Sequence, residues 1–243
     1  MVGMRLATLC LLILAIQAAP SPASRTAVVP LADGFDFPVG PPDAEGYYKY
    51  RGFRANGHLG DDWNGLGGGN TDLGDPVYSI GHGVVVMARD ARKGWGNVVI
   101  VRHAFREGSG VKVADSFYCH LDAIAVSEGD IVRKGQKVGT IGTNRGMYIA
   151  HLHFEVRRNL MIGINRSKFS CGYENYYDPT SFITKRRTLT GGGRRARIPV
   201  DTFVQPSRQL APPSKRIRSG MSRQSGGQRG TFQVSRFSDL IGR

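Results

Sequence analysis

Between Gly34 and Lys185 the sequence runs as short β-branched stretches, DPVYSI, GVVVMA, NVVIVRH, SFYCHL, DIVRKGQKVGTI and HLHFEVRR, separated by Gly, Asp and Asn. β-Branched and aromatic residues suit a pleated surface, and the intervening residues supply turns. A parallel crossover needs about a dozen residues, so strands this close together are expected to pair as antiparallel hairpins. No segment sustains a helical period. The expected class is all-β with an antiparallel sheet, and the 33 glycines and 12 prolines fit such a turn-rich chain. No Gly-X-Y period exists, which excludes collagen.

The ends have other chemistry. Residues 1–23 place one Arg before an apolar run from Leu6 to Ile16 and then small residues, the layout of a secretory signal peptide. Its removal would take Cys10 with it and leave a chain with no apolar run of the roughly 20 residues a span requires. No membrane span is therefore expected after signal removal, and the location is secreted, periplasmic or cell-envelope. Cys119 and Cys171 then remain, either paired in an oxidising compartment or separate as buried thiols. The net charge is +14, but residues 186–243 hold 13 basic and 2 acidic side chains and so carry +11 of it. The rest of the chain is nearly neutral, which argues against a specific nucleic-acid reader. The composition of 186–243 is that of a disordered basic tail. Such a tail either holds the protein on an anionic envelope polymer or is only a solvated extension. The domain reading is 1–23 signal, 24–50 N-terminal segment, 51–185 main β domain and 186–243 tail.

All six histidines lie between His58 and His153. On a strand, His151 and His153 face one side while Leu152 and Phe154 face the other, so two imidazoles project together from an apolar backing. A half-buried strand with ordinary polar alternation gives the same pattern. The segment His58-Leu59-Gly60-Asp61-Asp62-Trp63 shifts the balance. Its glycines disfavour a helix, and an extended or bent segment can aim an imidazole and a carboxylate at one point. Two such ligands with one from the HxH strand leave a fourth tetrahedral position for water, the pattern of a catalytic and not a structural zinc site. By strand alternation Cys119 turns away with Phe117 and Leu121, while Tyr118 and His120 share the other face.

Taken in order, His58-x-Gly60-x-Asp62, GDPVYSIGHGVVV, GNVVIVRH, FYCHL, VSEGDIVRKGQKVGTIG, AHLHFEV and YYDPTSFI resemble the lysostaphin and LytM type of zinc metalloendopeptidase. The resemblance implies that His58, Asp62 and His153 bind Zn2+ and that His120 and His151 are the catalytic pair. It also implies a metal-activated water acting on peptide bonds of bacterial peptidoglycan. The family includes members with incomplete sites, and here all five positions are filled. Two other readings stand beside it: a non-catalytic wall-binding regulator of another hydrolase, and a secreted peptidase acting on proteins.

VSEGDIVRKGQKVGTIG also resembles half of a biotinyl or lipoyl carrier, in which GDxVxxGQ forms a hairpin, and this points to a duplicated barrel-sandwich hybrid with an open groove. Lys134 and Lys137 are not presented at a modifiable tip, so the likeness is one of fold. His82, in the GHG turn, and His103, at the end of NVVIVRH, are expected outside the chemistry. Asp61 is expected to face solvent or a group behind the ligands. Residues 64–72 either shape a groove wall or merely lengthen a loop.

Overall fold

A computed structural model describes residues 25–204. The expected signal peptide at 1–23 and the basic stretch from 205 onward lie outside the described residues. The strands are β1 (Thr26–Ala32), β2 (Tyr47–Arg51), β3 (Asp61–Gly65), β4 (Pro76–Tyr78), β5 (Gly83–Asp90) and β6 (Asn97–Glu107). They continue with β7 (Gly110–Leu121), β8 (Ile131–Val132), β9 (Lys137–Thr140), β10 (Leu152–Arg157), β11 (Tyr176–Tyr177) and β12 (Arg195–Pro199). One short helix, α1 (Pro179–Thr184), is started by Pro179 and capped by Asp178, whose side chain accepts from Ser181 N at 2.8 Å. Among the described residues no helix is long and apolar enough to cross a membrane.

The fold is all-β. Ten strands form one open sheet in the order β12-β1-β6-β7-β10-β3-β2, with β5 pairing β6, β8 pairing β5 and β11 pairing β10, and β4 pairs β9 in a separate ribbon. β6 and β7 form a long hairpin whose two-residue turn has Gly108 at φ +61°. The sheet is mixed and not purely antiparallel, because β1 runs parallel to β6 through Leu31 and Ala104. β1 enters the sheet from outside the hairpin series, so no tight turn dictates its direction. The expected carrier-type hairpin is not formed by β8 and β9 pairing with each other. β8 pairs β5, and β9 pairs β4 across the ribbon.

β7 is buried along most of its length and separates two cores. On one side Tyr118, Phe154, Val101, Val77, Val138, Phe182 and Ile183 pack together, which seats the ribbon and α1 against the sheet. On the other, Phe117, Cys119, Ile100 and Met87 pack with Trp95. Each such apolar side chain contributes about 1.5–3 kcal/mol on burial.

Two expected boundaries shift. The 24–50 segment is not separate, since β1 and β2 belong to the sheet. The assigned tail begins folded: β12 pairs β1 from Thr26↔Pro199 to Pro30↔Arg195. Its arginines mask a period-two pattern, with Ala196 and Ile198 packing beside Val29 and Leu31 while Arg195 and Arg197 face solvent. The two described cysteines are free thiols, Cys119 buried and Cys171 half-buried, so the pairing alternative does not hold in this structure.

Candidate metal centre

β10 lies between β3 and β7, and register decides what meets across it. His153 is opposite Asp62 on β3, and opposed residues of an antiparallel pair project to the same face. His58 precedes β3 and reaches the same point because Gly60 lets the chain lie against β10. A Cβ on Gly60 would stand 2.4 Å from Phe154 O. The turn before it is tied down by Arg54 N donating to His58 O at 2.6 Å.

The result is a triangle of acceptors. His58 Nε2 lies 3.0 Å from Asp62 Oδ1 and 3.1 Å from His153 Nδ1, and His153 Nδ1 lies 2.8 Å from the same Asp62 oxygen. The far nitrogens set the tautomers. His58 Nδ1 is 3.1 Å from Gly52 O and His153 Nε2 is 3.0 Å from Glu155 Oε1, both acceptors only, so those nitrogens carry the protons. With both rings neutral, three lone-pair atoms converge on one point, an arrangement that a metal ion, or in its absence a proton on His153 Nδ1, holds together. Zinc ligands at about 2.0–2.1 Å in tetrahedral array stand about 3.3 Å apart, close to the observed spacings. Among the described residues this is the one group of three His, Cys, Asp or Glu side chains whose ligand atoms converge in this way.

Without a metal, the electrostatics place a proton on His153 Nδ1, shared with Asp62. Burial disfavours charge on His153, but its hydrogen bonds to Asp62 and Glu155 outweigh that and raise its pKa to about 9. Burial would likewise raise the Asp62 carboxyl, yet the two imidazoles hold it well below the usual carboxylate range. The pocket favours positive charge at the centre of the triangle.

His120 and His151 stand beside this group. The His120 ring centroid lies 4.9 Å from that of His151 and 5.8 Å from that of His153. Burial and the neighbouring imidazoles of His153 and His151 push the His120 pKa down to about 3, so its ring is neutral. Its Nδ1 is buried without a hydrogen-bond partner. His151 Nδ1 is 2.8 Å from Ile149 O and donates to it, which leaves Nε2 as a lone pair. A cleft of about 350 Å³, lined by Tyr48, Tyr50, Asn64, Tyr148 and Ile149, opens at Asp62 and His151.

All five expected site residues therefore come together. The expected sharing of one face by Tyr118 and His120 does not occur. Tyr118 is in the core with its hydroxyl on Ile80 N, whereas His120 has φ +62° and is swung to the His153 side. Leu121 correspondingly joins the Tyr118 core and leaves the Cys119 face. Asp61 does not face solvent: it is buried and accepts from Phe53 N and Thr180 Oγ1 at 3.0 and 2.6 Å. His82 and His103 lie away from the triangle, bonded to Lys134 N and to Ser116 Oγ respectively. Residues 64–72 brace the HxH strand, with Asn64 Nδ2 on Ala150 O at 3.0 Å and Asn70 Oδ1 accepting from Ala150 N at 2.8 Å. Sequence reasoning overlooked Glu155 and Arg157. The period of two that linked His151 to His153 continues through both and was a sufficient signal.

Residues 63–165 match peptidase family M23. Over 84 residues the chain is 36% identical to lipoprotein NlpD of Yersinia enterocolitica, which covers 35% of this chain and 78% of that relative. The chain belongs to peptidase family M23. The M23 match contains His120, His151 and His153 and starts one residue after Asp62. The chain is also 37% identical over 86 residues to peptidoglycan DD-endopeptidase ShyB of Vibrio cholerae, covering 35% of this chain and 18% of ShyB. A third similarity, 31% over 109 residues, is to murein hydrolase activator NlpD of Salmonella dublin, covering 42% of this chain and 27% of the relative. The chain thus spans well under half of these last two relatives.

Proposed function

We propose that this M23 chain is a secreted or periplasmic zinc-dependent endopeptidase hydrolysing peptide bonds of cell-wall peptidoglycan. The observation that carries the reading is the convergence of His58 Nε2, Asp62 Oδ1 and His153 Nδ1, all atoms able to bind a metal, within 3.1 Å of one another. These three atoms would hold Zn2+. When bound, zinc would polarise a carbonyl and lower the pKa of water from about 15.7 to near 7. His151, with Nδ1–H spent on Ile149 O, takes the water's proton at Nε2 and returns it to the departing amine. His120, neutral across the working pH range, donates an N–H to the carbonyl oxygen as negative charge develops there. Apart from Asp62 and His151 the cleft lining is uncharged, which suits a neutral peptide backbone. The similarity to a protein named a peptidoglycan endopeptidase supplies the substrate class.

The test is zymography on purified wall material, with and without chelator, followed by identification of the newly freed amine. Clearing that chelator abolishes and Zn2+ restores is the expected result. The similarity to a protein named a murein hydrolase activator favours one second reading, a regulator that binds wall and cuts nothing. Binding without clearing would establish it in place of the enzyme, and cleavage of soluble proteins but not of wall would move the substrate class. The basic stretch from 205 onward is proposed to hold the enzyme on an anionic envelope polymer. A chain stopped after Val204, which retains β12, should then lose salt-sensitive retention on that polymer.

A further inference from the structure

We propose that Glu155 is a positioning residue that selects Nδ1 as the metal-facing nitrogen of His153, and that Arg157 holds Glu155 to that task. The proposal rests on the zinc reading above. His153, Glu155 and Arg157 follow at intervals of two along β10 and so occupy one face. β7 stands beside them with Cys119, Phe117 and Asp115 in register. Glu155 is fully buried there. Its Oε1 lies 3.0 Å from His153 Nε2 and its Oε2 lies 2.7 Å from Arg157 Nε, so each oxygen has one partner. Arg157 is fixed in turn by its guanidinium stacked 3.8 Å over the Phe117 ring and by Nη1 donating to Gly163 O. The neighbouring Asp115 is taken by Arg102 through both oxygens at 2.7 Å and does not compete for Arg157.

Glu155 is not a fourth ligand. It binds the ring nitrogen remote from the triangle, with Asp62 at Nδ1 and Glu155 at Nε2 on opposite edges of one imidazole. Nor does stability alone account for it, since replacing a buried ion pair with well-packed apolar side chains is often neutral or favourable. What an ionised carboxylate does here and an apolar residue cannot is to demand the proton at Nε2. That reserves Nδ1 for the metal, fixes the ring plane and makes Nδ1 a better electron-pair donor.

Zn2+ affinity is to be measured by competition with a chromophoric chelator for the full chain, Glu155→Gln and Glu155→Ala. Loss of this support weakens metal binding about 10–100-fold. Glu155→Ala should show that loss in a protein with unchanged far-UV circular dichroism. Glu155→Gln keeps an acceptor for Nε2–H and should recover part of the affinity. Affinity within twofold of the unaltered protein in a folded Glu155→Ala would overturn the proposal. Should both variants fail to fold, long-range 1H–15N spectra of the unaltered zinc-loaded protein decide. The proton must be found on His153 Nε2 and exchange slowly, and a proton on Nδ1 overturns the assignment. An unaltered chain that binds no zinc would instead remove the proposed function itself, so the two failures are told apart.

Discussion

Cys119, and not His120, is registered opposite His153 across the β7–β10 ladder. Alternation places Cys119 on the same face of the sheet as His153 and, if unbroken, would bury His120 beside Tyr118. His120 escapes through its left-handed backbone, φ +62°, held by its N–H donating to Trp95 O at 2.9 Å. The same event is visible on the other edge of β7, where Asn97 pairs Leu121 but Val99 pairs Tyr118. Two steps of β6 face three of β7, which is a bulge re-aiming a side chain.

The bulge makes His120 a strained residue whose replacements separate backbone from chemistry. A left-handed non-glycine residue costs about 1–2 kcal/mol. His120→Gly should therefore keep or raise stability to urea while wall hydrolysis falls about 100-fold or more. His120→Val, β-branched and ill-suited to φ > 0, should unfold about 1–2 kcal/mol more easily than His120→Gly. Equal stability of the two variants would show that the backbone there carries no strain.

Asp61 and Asp62 are adjacent but do unrelated work. Asp61 accepts from Phe53 N and Thr180 Oγ1, and Lys49 Nζ is 3.8 Å away, so it ties the turn before β3 to α1. Burial pushes its carboxyl upward against the lowering effect of these partners. Asp61→Ala leaves two donors without their acceptor and should cost about 1–3 kcal/mol, with zinc still bound stoichiometrically. Asp62→Ala should behave in the opposite way, losing zinc. Plasma emission analysis of both proteins, alongside thermal unfolding, reads the contrast.

How far the sequence disclosed this site follows from which rules were local. Alternation along HLHFEV placed His151 and His153 together, and the glycines around His58 indicated a bent segment, because both signals lie within a few residues. The His120 bulge could not be read that way, since its cause is a partner strand and the Trp95 carbonyl, not a neighbour in sequence. β12 was hidden by composition: arginines dominate a strand whose Ala196 and Ile198 nonetheless pack beside β1. β1 and β2 are separated by the Gly- and Pro-rich stretch of residues 33–46, which marks turns but not which strands they join, and the parallel β1–β6 contact depends on a docking that no spacing encodes.

Metal removal should couple the site to the fold. The proposed ligands come from β10 and from the segment at the start of β3, so a bound cation would cross-link chain positions 91 residues apart. Zinc at about 1,000 times its dissociation constant would stabilise the native state by about 4 kcal/mol. Chelator should lower the thermal midpoint of the unaltered protein, and zinc should restore it. His153→Ala should have the lower midpoint from the outset and show no response to either addition. A chelator-induced shift of equal size in His153→Ala would exclude it as a ligand.

His103 sets a separate acid limit on stability, remote from the metal. It is fully buried, Nδ1 donating to His82 O at 2.9 Å and Nε2 accepting from Ser116 Oγ at 2.7 Å, so the neutral ring satisfies both contacts. Burial lowers its pKa from 6.5 to about 4, against the raising effect of its hydrogen bond to His82 O. A depressed folded-state pKa means that the unfolded chain takes up the proton first. The stabilising contribution is complete above 6.5 and is lost as the pH falls from there through about 4. Between pH 7.5 and 4.5 the loss amounts to about 2 kcal/mol at 1.36 kcal/mol per pKa unit. His103→Gln, which cannot take up a proton, should be less stable at pH 7.5 yet lose about 2 kcal/mol less than the unaltered protein on acidification to 4.5. Guanidinium unfolding of both proteins at the two pH values gives this double difference, in which the other titrating groups cancel. A difference near zero would mean that His103 already titrates near its ordinary value in the folded chain.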